Sequence, residues 1–315
     1  MAWRGAWEIS FSDDDEEPEN ECSIDHAYPG PNVLLLTLLR LTGREAFIAV
    51  EQLIHTLDAD QLDDALTYSD DGHPALYVVC ARHLNDRARG ADPLMTLALF
   101  EIILKATFES PRATRYWMVQ KRALFGVVVR LVIQSPLALD ALPLFVSRLP
   151  DTYFGPLPED PQVLAYPAVY DFGAAFNYMA TKGGPDIDSA MERVYFDAFQ
   201  FVLDRQSRET LVAPDAYRSD TDPAAPRWVV LFLAGMIGYR WREIPQLVRL
   251  QERMLFEFIV KVGYRIENPD TGASTDLRAL AAQLIRESID PNSDNKEELV
   301  PPFMYEFIAA APKRA

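Results

Sequence analysis

Residues 33–57 read VLLLTLLRLTGREAFIAVEQLIHTL. Val33, Leu34, Leu36, Leu38, Leu39 and Leu41 recur at helical spacing, and Phe47, Ile48, Val50, Leu53, Ile54 and Leu57 resume the pattern after a Thr42-Gly43 break. Two apolar helices joined by so short a connection form a helical hairpin, and the stretch predicts an all-α chain.

Toward the N-terminus the pattern stops. Residues 12–21, SDDDEEPENE, are too polar to bury and repel one another, so residues 1–28 are expected to be a disordered acidic tail and residues 29–315 an all-α domain. Toward the C-terminus, further helices are expected at about 60–68, 74–88, 93–108, 112–134, 137–147, 162–181, 187–206, 226–241, 244–266, 275–289 and 301–310. Asp92-Pro93, Ser110-Pro111 and Ser135-Pro136 each place a capping residue before a proline, the favoured order at a helix start. Ser189 and Glu192 have capping-box spacing one turn inside their helix. Strands are expected to be nearly absent, because Asp71-Gly72 leads into a helical pattern rather than a second strand. Two proline-rich excursions, 149–161 and 212–226, interrupt the helices, and the first marks a subdomain break if there is one.

Composition narrows the function classes. At 315 residues and 49% hydrophobic, the chain has material for a large core without disulfides. Cys22 and Cys80 form no metal or disulfide framework, so a reducing, intracellular and cytoplasmic setting is expected. The longest uncharged apolar stretch, Val229 to Tyr239, is about half the roughly 20 residues of a membrane span. A net charge of -17 repels nucleic acid and anionic lipid.

Sliding residues 76–84 (LYVVCARHL) by forty positions onto 116–124 (YWMVQKRAL) aligns Tyr77 with Trp117, Val78 with Met118, Val79 with Val119, Arg82 with Arg122 and Leu84 with Leu124. A forty-residue step is the size of one armadillo or HEAT unit. The segment from 31 to 150 therefore resembles an armadillo or HEAT-type helical repeat, which implies an α-solenoid-like array serving as a binding surface. A single irregular multi-helix domain is the competing architecture.

Signatures of catalysis are missing. The chain has no GxSxG, GxxxxGK[ST], GxGxxG or HExxH, and neither a metal nor a cofactor is expected. Cys80 and His83 lie three apart on one helix, but two ligands do not make a site, and both read as core or helix-edge residues. Residues 290–299 begin like an EF-hand loop, yet Asn295 stands where glycine is needed and Pro301 where the bidentate glutamate belongs. Asp63-Asp64 and Asp70-Asp71 resemble a magnesium-binding aspartate motif, and Thr67 breaks it.

Charge segregation is the strongest functional signal. Ser110 to Leu139 contains no acid but carries Arg112, Arg115, Lys121, Arg122 and Arg130, with Arg115 and Arg122 seven apart on one predicted helix face. A second acid-free window, Pro223 to Arg242, ends in Arg240, Trp241 and Arg242, and Arg249 and Arg253 follow. Tyr, Trp and Arg are enriched at binding hot spots. All of these positions except Lys121, nine residues from Arg112 to Arg253, are the predicted contact set of a non-enzymatic scaffold that holds an acidic segment of a partner protein. Arginines paired with carboxylates of neighbouring helices are the plain alternative.

In the tail, Trp3, Trp7, Ile9 and Phe11 precede Asp13–Glu17, an order similar to a short linear docking motif, loosely a SUMO-interacting motif, and Ser10 and Ser12 each have an acid three residues on. The tail is expected to dock on the basic helix at 112–130 of its own chain, or of a neighbour, and to block it until a partner competes. The alternative function is an enzyme or small-molecule binder with an aromatic pocket near Tyr166, Tyr170, Phe172, Phe176 and Tyr178.

Overall fold

The computed structural model describes residues 30–85, 92–155, 167–182, 188–212, 229, 232–233, 245–267 and 272–281. The chain is all-α, with only short two-stranded ribbons among the described residues. The opening hairpin forms as expected: α1 (Val33–Arg40) buries Leu34, Leu35 and Leu38, and α2 (Gly43–Thr56) buries Ala46 and Val50. In α3 (Ala59–Thr67) a reciprocal capping box starts the helix, since Asp58 Oδ1 accepts from Gln61 N at 2.9 Å and Gln61 Oε1 accepts from Asp58 N at 3.2 Å.

The structure then departs from the sequence reading. Ser69–Asp70 (β1) pairs antiparallel with His73–Pro74 (β2) across Asp71 and Gly72, whose φ values are +49° and +81°. Positive φ at both central positions is the type I′ geometry that Asp-Gly favours, so the discounted hairpin does form, and helix begins only at Ala75.

Helix α4 (Ala75–Val78) runs into a π-helical turn, Val79–Leu84. A second π turn, Tyr116–Gln120, separates α6 (Pro111–Arg115) from α7 (Arg122–Gln134), and it closes with Lys121 N–H donating to the Tyr116 carbonyl at 2.9 Å. The single helix expected over 112–134 is therefore broken at Lys121. Between the two π turns lies α5 (Pro93–Glu109), capped by Asp92, which accepts from Leu94 N. The packed helices are compatible with a helical repeat, and the forty-residue alignment is matched in packing only in part: Val78 and Met118 are both buried, but Val79 is fully buried where Val119 is exposed, and Arg82 is half-buried where Arg122 is buried.

Next come α8 (Ala138–Arg148), a 3-10 turn at Asp151–Tyr153, α9 (Ala168–Lys182), α10 (Ser189–Arg205), α11 (Arg208–Val212) and α12 (Pro245–Val262). The cap of α10 is Asp188, which accepts from Ala190 N and Met191 N, so Ser189 is already helical and the Ser189–Glu192 box does not form. Ser135 Oγ accepts from Leu137 N three residues before α8 begins and donates to the Leu84 carbonyl. Gly263, at φ +91°, ends α12, because its left-handed conformation turns the chain out of the helix. Residues 265–267 (β3) and 274–276 (β4) pair antiparallel, so 265–266 and 275–276 are strand where helix was expected.

Packing ties the elements together. Helix α2 packs on α5, α5 on α8, α7 on α8 and α9, and α10 on α8, α9 and α12. Buried apolar side chains form one cluster from Leu34 to Ala281. The proline-rich 149–161 stretch is described as far as Gly155, and there Tyr153 and Phe154 are buried in that cluster.

Candidate functional site

The acid-free segment does not present a uniform basic face. Arg112, at the surface, pairs with Asp64 of α3 at 2.7 Å, and the neighbouring Ser110 hydroxyl caps α6 through Ala113 N while donating to the Asp63 carboxylate. Asp63 and Asp64 thus serve to hold α6 against α3. Arg115 is exposed and Arg130 half-buried. Arg122 is buried at 5% exposure, with a guanidinium nitrogen 3.5 Å from Asp171 Oδ2 of α9 and its carbon 3.9 Å from the Tyr153 ring centroid. The shared face predicted for Arg115 and Arg122 is lost because the π turn takes up one residue more than an α turn and so shifts the phase of the helix between them. Arg122 is a corrected assignment: it faces the interior.

Around Arg122 the structure builds a cluster that spacing did not reveal. The Tyr153 hydroxyl donates to Asp171 Oδ2 at 2.9 Å, and Asp171 lies over Gly126 of α7, where an added Cβ would sit 2.7 Å from Asp171 Oδ1. Burial pushes the Asp171 carboxyl up to about 6, although Arg122 and the Tyr153 hydrogen bond both pull it down. Burial likewise raises the Tyr153 phenol, with the Asp171 charge adding to the shift. Chemically the cluster holds a carboxyl that takes up its proton at about pH 6 inside a helix interface. The signal for it in the sequence was weak: one glycine in a run of large apolar residues, facing a helix with one acid in its first turn.

Helix α12 carries the second arrangement. Its inner side buries Leu250, Met254, Leu255, Phe258, Ile259 and Val262, and the Phe232 ring lies tilted against Phe258 at 4.6 Å between ring centroids. At 100° per residue Arg249, Arg253, Phe256 and Val260 share an arc of roughly 60° on the opposite side. Phe256 is 51% exposed, Val260 55%, and Tyr264, just past the helix, 46%. Glu192 of α10 draws both guanidinium groups toward it, at 3.8 Å from Arg249 and 3.7 Å from Arg253, and Arg253 also lies 3.7 Å over the Phe196 ring. Both arginines stay at least half exposed, and both ion pairs are longer than hydrogen bonds. The heads are oriented yet open to a further carboxylate. Arg240, Trp241 and Arg242 lie outside the described residues.

Other candidates resolve differently. Cys80 is fully buried and its thiol is pushed well up by burial. His83 is also buried, and its Nε2 lies 2.9 Å from the Leu38 carbonyl, which can only accept, so Nε2 carries the proton. Among the described residues no group of three or more His, Cys, Asp or Glu is placed to hold a metal ion. No helix among them is long and apolar enough to cross a membrane. Phe172 and Phe176 are core, with Phe176 edge-on to Tyr195 at 5.2 Å, while Tyr170 is half-buried. Tyr166 and the side chain of Tyr178, the loop at 290–301, Cys22 and residues 1–28 lie outside the described residues. Comparison with protein-family models, curated proteins and solved structures returns no match.

Proposed function

We propose that the chain is a non-enzymatic interaction module: an armadillo-like helical array, working inside the cell, that holds a partner segment combining apolar side chains with an acidic run. One observation carries this reading, the stripe of Arg249, Arg253, Phe256 and Val260 on the outer face of α12, continued by Tyr264. Exposed aromatic and aliphatic groups beside oriented guanidiniums combine large contact area with directed hydrogen bonding, the chemistry of binding hot spots. Arg112 and Arg115 lie elsewhere on the surface, and Arg112 is occupied by Asp64. A net charge of -17 argues against nucleic acid as the partner.

The test is crosslinking mass spectrometry after affinity capture from native lysate, comparing wild type with Phe256→Ser/Val260→Ser and with Arg112→Glu. A partner with an acidic segment, crosslinked near α12, is expected to vanish in the first variant and persist in the second. The same partners captured by all three chains would retire the α12 reading.

A further inference from the structure

The outer face of α12 matches a segment of this same chain. Phe256, Val260 and Tyr264 follow one another at four-residue steps, and Arg253 and Arg249 extend the stripe at its N-terminal end. In the N-terminal region Trp3, Trp7 and Phe11 also recur at four-residue steps, and after Ser12 come Asp13, Asp14, Asp15, Glu16 and Glu17. Laid antiparallel, the two series coincide in both apolar register and charge: Trp3 beside Tyr264, Trp7 beside Val260, Phe11 beside Phe256, and the acidic run beside Arg253 and Arg249. A parallel arrangement would carry the acids away from the two arginines.

We propose that residues 3–17 occupy the α12 stripe of their own chain, so that the interaction face is covered until a competing segment displaces them. The proposal rests on the interaction reading above and names the resident occupant of that face. Charge complementarity selects this segment. The sequence contains 47 acidic residues, and the run at 13–17 is five in succession, one residue beyond three spaced aromatics. The basic segment expected to receive the tail is a poorer match, because Arg122 is buried and Arg112 already holds Asp64.

The twelve residues 18–29 connect the acidic run to Gly30, the first described residue, and span up to about 40 Å when extended, so the contact in cis requires the α12 stripe to lie within that span of Gly30. Tethering also raises the local concentration of the tail to about the millimolar range, so even a weak contact is largely filled in cis. A partner must therefore bind more tightly than the tail, or be present at comparable effective concentration, to gain the face.

Hydrogen exchange on the full-length chain tests this, together with binding of a labelled synthetic peptide of residues 1–19. Wild type is compared with Phe256→Ser/Val260→Ser and with Trp3→Ser/Trp7→Ser. Amides of residues 3–11 are expected to exchange at least tenfold more slowly in wild type than in the α12 variant, with protection falling as NaCl rises from 50 to 500 mM. The labelled peptide is expected to bind the Trp3→Ser/Trp7→Ser chain at least tenfold more tightly than wild type, because the face is vacated. Phe256 and Val260 are exposed, so exchange in α7 and α9 serves as the folding control. An unprotected tail, with the peptide bound equally by wild type and the tail variant but not by the α12 variant, overturns the cis contact and leaves the interaction reading standing. An unprotected tail with peptide bound by no chain removes both. Protection that appears only with a sedimenting dimer overturns the proposal in favour of a tail lent to a second copy.

Discussion

Asp171 is a buried acid whose environment changes its chemistry within the ordinary pH range. Folding holds its proton more tightly than the unfolded chain does, because the carboxyl moves from 3.8 up to about 6. Its contribution to stability is therefore fully present below about pH 3.8 and is lost as pH rises through about 6. A shift of this size corresponds to roughly 3 kcal/mol. Urea unfolding of wild type and Asp171→Asn at pH 4, 5, 6 and 7 is expected to show a wild-type stability that declines relative to the variant over this interval. Parallel curves would mean that Asp171 titrates alike in both states. Gly126 is the steric partner of this site. Tyr153 and Arg122 hold the carboxylate in place, so Gly126→Ala forces a contact that cannot relax freely and is expected to cost about 1–3 kcal/mol in the same measurement.

At the scale of elements, the end of α7 shows how the helices are locked together. Its last carbonyls have no partner within the helix, and each of three finds one elsewhere. Asn85 Nδ2 donates to the Leu131 carbonyl at 3.0 Å, Ser135 N to Val132 at 3.2 Å, and the Tyr195 hydroxyl to Ile133 at 2.9 Å. Asn85 also donates to the Cys80 carbonyl, so one amide ties the first π turn to α7. Asn85→Ala removes both bonds and leaves a part-buried carbonyl without its donor. A loss of about 1–3 kcal/mol is expected in urea unfolding, with faster exchange at the amides of 80–85 and 131–135. A loss below about 0.5 kcal/mol would mean that water replaces the amide.

For the whole molecule the net charge of -17 is the governing quantity. Self-repulsion opposes the compact state, and added salt screens it. The thermal midpoint is expected to rise by several degrees between 20 and 300 mM NaCl at pH 7.5. A fall would show that the ion pairs at Arg112–Asp64, Arg148–Glu101 and Arg205–Asp151 outweigh the repulsion. Those pairs are exposed, and each contributes on the order of 0–1 kcal/mol, so the rise is the expected sign.

Sequence alone determined the helical class, the opening hairpin of helices, and caps such as Asp92 and Ser110, because apolar periodicity and first-turn hydrogen bonds act within a few residues. It also marked Arg249 and Arg253, though not the Phe256, Val260 and Tyr264 beside them, since an exposed apolar residue looks like a buried one until the opposite face of its helix is packed. Only the tertiary structure decided what the other arginines do. Arg112 and Arg122 carry the same charge in the same acid-free segment, yet one meets Asp64 at the surface and the other Asp171 in the interior. The π turn at 116–120 sets that difference: one residue rotates a helix by about 100°, and whether the turn is inserted depends on packing that no local pattern encodes.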